Sequence, residues 1–136
     1  MKTNNLSNQS VIDGYYKGMI IEQKKINKLR VNNFELQSSS LKMEESIQHD
    51  KGVIVRQVIN EVDQSTNKKR FSNETARKQE VESRLSRDRT IRELRESIKR
   101  NELLVLNNNN EIDIFKISIF VTKQRIKLYV DGFSYD

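Results

Sequence analysis

From Ile12 to Ile54 a residue falls on one helix face at alternating spacings of three and four, and this repeat constrains the fold more than any other feature of the chain. Positions 12, 15, 19, 22, 26, 29, 33, 36, 40, 43, 47, 50 and 54 read Ile, Tyr, Met, Glu, Ile, Leu, Asn, Leu, Ser, Met, Ile, Asp and Ile, so nine of the thirteen are apolar. A heptad repeat of this kind lines one side of a long helix and requires a second helix to cover it. Val58 and Val62 extend the seam after a small phase shift. The 136 residues are 35% hydrophobic and 32% charged, which is thin for a broad core but sufficient for a narrow seam flanked by charge. The absence of proline leaves helices free to run uninterrupted. Gly52 and the run Ser38 to Ser40 are the points where the first arm is weakest.

A second seam follows. Ile91, Leu94, Ile98, Val105, Ile112, Phe115, Ile119, Ile126 and Tyr129 share one three-four spacing, with Asn101, Asn108 and Thr122 filling its remaining positions. Between the arms, residues 63–73 are polar except for Phe71 and read as a turn. Ser72 or Asn73 is placed to cap the next helix, with Phe71 set to pack back on its first turn and Glu74 at the positive end of its dipole. The arms are nearly equal, which predicts an antiparallel hairpin. The expected organisation is a disordered N-terminus over 1–10, a first arm over about 11–63, a turn over 64–73, a second arm over 74–131 and a tail over 132–136. The fold class is mainly α, a long antiparallel coiled-coil helical hairpin. The C-terminal third, 112–131, is rich in Ile, Phe, Val and Tyr and alternates at period two in places. It reads as helix, with a small β-hairpin turning near Thr122 as the alternative. Asn33, Asn101 and Asn108, at seam positions, either fix the register or loosen the coil. A two-helix hairpin leaves apolar surface over, so a homodimer or higher homo-oligomer is expected.

No catalytic constellation is present. The chain has no Cys, and its lone His49 sits in a polar stretch between Gln48 and Asp50, where a solvated role is expected. There is no phosphate-binding glycine loop after Gly14 or Gly18, and no set of residues with zinc-ligand spacing. The expectation is therefore no enzyme, no metal and no cofactor. No apolar run is long enough for a membrane span, and Met1 to Ser10 carries no signal-peptide pattern. The expected location is the cytoplasm of the producing cell or of an infected host.

Charge is the informative feature. Residues 68–100 hold twelve Lys and Arg against six Asp and Glu, and that excess of six equals the net charge of the whole chain. On one continuous helix Arg77, Arg84, Arg92, Arg95 and Lys99 fall within about a quadrant. With Lys68, Lys69 and Arg70 at the turn, they form a candidate ridge for nucleic acid or for an acidic protein surface. Against this, Glu74/Lys78, Glu80/Arg84, Asp88/Arg92 and Glu96/Arg100 have the acid-first spacing that neutralises a solvated helix.

The stretch Asp63-Gln64-Ser65-Thr66-Asn67-Lys68-Lys69-Arg70-Phe71-Ser72-Asn73-Glu74-Thr75-Ala76-Arg77, followed by Glu80-Val81-Glu82-x-Arg84-Leu85, resembles a turn segment of small coiled-coil proteins of phages and mobile elements. That resemblance implies helix in the C-terminal region and a role near DNA or in countering a host defence. The long-hairpin design is also similar to that of phage inhibitors of host nucleases. The leading expectation is a phage-type accessory protein that binds DNA, or a DNA-handling host machine, through the basic turn and second arm. The alternatives are an anti-defence inhibitor that contacts a host nuclease or CRISPR-type effector, and a coiled-coil scaffold.

Overall fold

In the computed structural model, residues 2–132 are described, with side chains from Asn8 onward. The elements are α1 (Lys2–Asn60), β1 (Val62–Asp63), β2 (Lys68–Lys69), α2 (Glu74–Arg87) and α3 (Arg89–Val130). The chain is mainly α, with α1 packed against α3 as a hairpin and the short β-hairpin and α2 between them. α1 reaches back to Lys2, over residues read from sequence as a disordered N-terminus; Met1 lies outside the described residues, as do 133–136 of the tail. Neither Ser38 to Ser40 nor Gly52 interrupts α1.

The chain divides into two compact units of equal length, unit 1 from Met1–Glu35 with Leu104–Asp136 and unit 2 from Leu36–Leu103. α1 and α3 each contribute one segment to both. The two seams are where the heptad reading puts them. None of the thirteen positions from Ile12 to Ile54 is exposed, nor is any of the twelve from Ile91 to Tyr129.

In unit 1, α1 and α3 run antiparallel. Tyr15 lies against Tyr129 with ring centroids 6.0 Å apart, and the Lys25 ammonium lies 5.6 Å from the Phe115 ring. Asn33 is buried and bonded at both ends of its side chain: its amide donates to Asn109 Oδ1 at 2.9 Å, and its oxygen accepts from the Asn108 amide at 2.9 Å. The Asn108 amide also donates to Asn32 at 2.8 Å. Residues 112–130 are helical, so of the two readings of the C-terminal third the helix holds. Ile112 and Ile126 are buried at heptad spacing with Phe115, Ile119, Thr122 and Tyr129 half-buried around them, and a strand here would turn half of that set away from α1.

Glu22, also a seam residue, is less well provided for. One carboxylate oxygen accepts from Ser118 Oγ at 2.7 Å, while the other is buried with no hydrogen bond. Leaving a buried acceptor without a partner is destabilising by about 1–3 kcal/mol. Glu22→Leu is therefore expected to raise the stability of unit 1 by about 1–2 kcal/mol in a urea melt followed by circular dichroism.

In unit 2 a third helix joins the pair. Ile47, Ile54 and Val58 of α1, Leu85 of α2 and Ile91 and Ile98 of α3 form one core, with Met43, Phe71, Val81 and Leu94 packed on it. Asn101, another seam amide, donates to Ser40 Oγ at 3.2 Å and to the Leu36 carbonyl at 3.4 Å. Val62 is an exception to the predicted seam: it is exposed, because α1 has ended at Asn60 and the residue lies in β1.

The turn is more structured than its polar sequence suggests. Val62 pairs with Lys69 and Asp63 with Lys68 in an antiparallel ladder. The Asp63 carboxylate accepts from the Ser65 amide at 2.8 Å and the Ser65 hydroxyl at 2.6 Å, a side-chain turn that Asp favours. Asn67 closes the hairpin in the left-handed region, at φ 56°, which Asn tolerates better than most side chains. Asn73 then caps α2, accepting from the Ala76 amide at 2.7 Å.

The second arm is two helices rather than one. Asp88 is extended and serves both ends of the break. Its amide donates to the Leu85 carbonyl at 3.3 Å, closing α2, while its carboxylate accepts from the Ile91 amide at 2.9 Å, opening α3. This double use of one Asp as a stop and a cap is what bends the chain so that both Leu85 and Ile91 enter the core.

Candidate binding surface of unit 2

All eight cations of the predicted ridge lie in unit 2, but the break at Asp88 distributes them over different elements. Lys68 and Lys69 are exposed on β2, Arg70 follows it, Arg77 and Arg84 belong to α2, and Arg92, Arg95 and Lys99 belong to α3. The single quadrant expected of a continuous helix does not carry across 88. Within α3, Arg92, Arg95 and Lys99 keep a three-four spacing and share one exposed flank.

Three of the eight are occupied by the fold itself. Arg84 has only 25% of its side chain exposed and bridges Glu61 at the end of α1 to Glu80 on its own helix, the latter at 2.8 Å. Its guanidinium also lies 5.9 Å from the Phe71 ring centroid. Arg70 pairs with the other oxygen of Glu61 at 3.0 Å. Arg77 donates to the Phe71 and Ser72 carbonyls at 3.3 and 3.0 Å, pinning the segment that leads into α2. Sequence spacing identifies the Glu80/Arg84 pair but not Glu61, which lies 23 residues from Arg84.

Of the predicted helix pairs, Glu74–Lys78 forms at 3.2 Å. Asp88 caps α3 instead of pairing with Arg92, and Arg100 donates to Ser97. Arg92 reaches the Ser86 carbonyl at 3.4 Å. Among the described residues, Lys68, Lys69, Arg92, Arg95 and Lys99 have no carboxylate within 4.0 Å.

This clasp, Arg84 between Glu61 and Glu80 with Arg70 on Glu61, has an acid-sensitive side. The hydrogen bond from Arg84, reinforced by the charges of Arg84 and Arg70, holds the Glu61 carboxyl below its ordinary value of 4.5. The Ser65 hydroxyl and amide hold Asp63 below its ordinary 3.8. For carboxyls depressed in the folded state, the added stability is complete above those ordinary values and disappears as pH falls through the lower folded ones. Thermal melts of the protein are thus expected to be flat above about pH 5 and to shift downward as the pH falls to about 3. The shift should be smaller in Glu61→Gln.

Unit 2 carries two grooves. One, of about 330 Å³, lies between α1 and α2; Val55, Ile59, Val81 and Leu85 form its floor, and Lys51, Arg77, Lys78, Glu74 and Glu82 line it as well. The other, of about 740 Å³, lies between α1 and α3. There Leu41, Ile47 and Ile98 lie among Arg95, Lys99, Glu44, Glu45 and Glu102. The apolar floors were invisible to a reading based on charge alone. Val55 and Ile59 lie off the heptad seam, and only the packing of α2 beside α1 makes them the bottom of a groove.

Among the described residues no cluster of three or more His, Asp or Glu is arranged to hold a metal ion, and no helix is long and apolar enough to cross a membrane. No protein family, curated protein or solved structure matches the chain.

Proposed function

We propose that this chain is a non-catalytic binding protein that presents unit 2 to an acidic, partly apolar protein surface and self-associates through unit 1. The observation that carries the first half is the groove between α1 and α2, in which Val55, Ile59, Val81 and Leu85 lie beside Lys51, Lys78 and Arg77. Apolar floors with charged edges suit a protein partner, since interface cores are apolar and their rims polar. Phosphate backbones offer nothing to such a floor. The likeness of residues 63–85 to turn segments of phage and mobile-element proteins supports a partner among the DNA-handling proteins of a host, with inhibition of a defence nuclease as the mode of action.

Self-association is supported by the distribution of apolar surface. Of the sixteen large apolar residues exposed among the described residues, twelve lie in unit 1, although the two units are equal in length. Exposed apolar surface so concentrated marks an interaction site.

Direct binding of nucleic acid is a second reading, favoured by the five exposed ridge cations that no carboxylate neutralises. Fluorescence anisotropy of labelled duplex DNA from about 50 to 300 mM salt separates the two. Five phosphate contacts would give a log–log salt slope of about −4.5. The acidic-partner reading expects weak binding with a shallow slope, because Glu44, Glu45 and Glu102 share the groove of Arg95 and Lys99. Tight binding with the steep slope would overturn it.

A further inference from the structure

The outer face of α3 in unit 1 carries a pattern that reads nearly alike in both directions. Leu106 and Leu128 lie eleven residues either side of Ile117 and Asn110 and Gln124 seven either side, with Ile114 three residues before it and Val121 four after. All seven fall on one strip within about 80° of arc. The strip lies opposite the seam, since the buried Ile112 and Ile126 and the half-buried Ile119 are about half a turn away. Most of it faces solvent: Leu106 is 55% exposed, Ile114 65%, Ile117 63% and Val121 39%, while Leu128 is half-buried.

Charge along the same helix is segregated about the same centre. Residues 104–115 hold Glu111 and Asp113 and no cation, whereas 116–130 hold Lys116, Lys123, Arg125 and Lys127 and no acid. A parallel pairing of two such helices sets acids beside acids and cations beside cations, and an antiparallel pairing sets them against each other.

We propose that this strip is the contact face between two copies of the chain, α3 against α3, antiparallel about a two-fold axis at Ile117. The inference rests on the self-association reading above and gives it a face, a direction and a register. An isologous contact needs a self-complementary surface, which the matched Leu106/Leu128 and Asn110/Gln124 pairs about Ile117 supply. In this register Leu106 of one copy meets Leu128 of the other, and Asn110 meets Gln124, so the two amides satisfy each other. Sliding by one heptad sets Asn110 against Ile117 and leaves the amide without a partner, which is how a single polar seam residue selects register.

The chain has no cysteine, so single cysteines report the geometry directly. Sedimentation of the wild-type protein establishes whether it dimerises. Leu106→Cys and Leu128→Cys proteins are then mixed and mildly oxidised. The expected product is a 106–128 disulfide dimer, with little 106–106 product. Ile117→Glu, at an exposed position, is expected to keep its helical circular dichroism while weakening the dimer at least 100-fold. A dominant 106–106 disulfide would mean a parallel pair and overturn the proposal. A dimer indifferent to Ile117→Glu would overturn the face while leaving self-association standing. A wild-type monomer at high micromolar concentration would overturn both.

Discussion

Replacing Ile91 with alanine is expected to lower the stability of unit 2 by about 3–4 kcal/mol, read as a lower urea midpoint at unchanged slope. Ile91 is 0% exposed and sits at the start of α3, where the core residues of all three helices of the unit converge. Truncation removes its own burial and leaves a cavity that cannot readily collapse. Val58 presses from α1 and Leu85 from α2, and the Asp88 cap fixes the Ile91 backbone in place. The control is Leu41→Ala, 58% exposed in the same unit, which is expected to change stability by no more than about 0.5 kcal/mol. Equal small effects at both positions would mean that the three-helix core is not the main source of stability in unit 2.

Arginines close in sequence are expected to fail in different ways. Changing Arg92, Arg95 and Lys99 together to glutamine should leave the melt almost unaltered and weaken the acidic partner by roughly 10- to 100-fold, as loss of several exposed cations does at a charged interface. Arg84→Gln should do the reverse, lowering the melting midpoint by about 5 °C or more. Its side chain bridges Glu61 and Glu80 within the fold and is mostly covered. Removing Arg84 leaves Glu61 with Arg70 alone and Glu80 with only Arg87 at 3.9 Å, rather than simply deleting one contact. If Arg84→Gln melts like wild type yet binds poorly, the residue belongs to the binding surface and the clasp is incidental.

The helical seams were legible because a heptad repeat is a local signal that burial enforces over many turns. Ile26, Ile47 and Ile54, and Ile91, Ile98, Ile112 and Ile126, are buried where the spacing puts them. The break at 88 was not read, though the signal was present. Projected backward by heptads, the α3 seam lands on Arg87 and Arg84, whereas the large apolar residues of α2 are Val81 and Leu85. That phase shift marks a change of helix, with Asp88 as the residue able to cap it. The β-hairpin escaped because four paired residues leave no periodicity to detect, and its determinants, the Asp63 side-chain turn and the left-handed Asn67, are single residues. The cations were legible by type but not by state. Whether an arginine is free or paired depends on carboxylates distant in sequence, as Glu61 is from Arg84.

The central functional claim is that unit 2 holds a protein by an apolar groove with cations beside it. It is tested most directly by capture on immobilised protein from an extract of the producing cell, before and after nuclease digestion, beside an Ile59→Glu variant. Ile59 is 40% exposed and forms part of the groove floor without lying in the seam, so the variant keeps the fold and alters the surface. One stoichiometric protein is expected to be retained through digestion and lost from Ile59→Glu. Loss of the complex on digestion, or its indifference to Ile59→Glu, would contradict it.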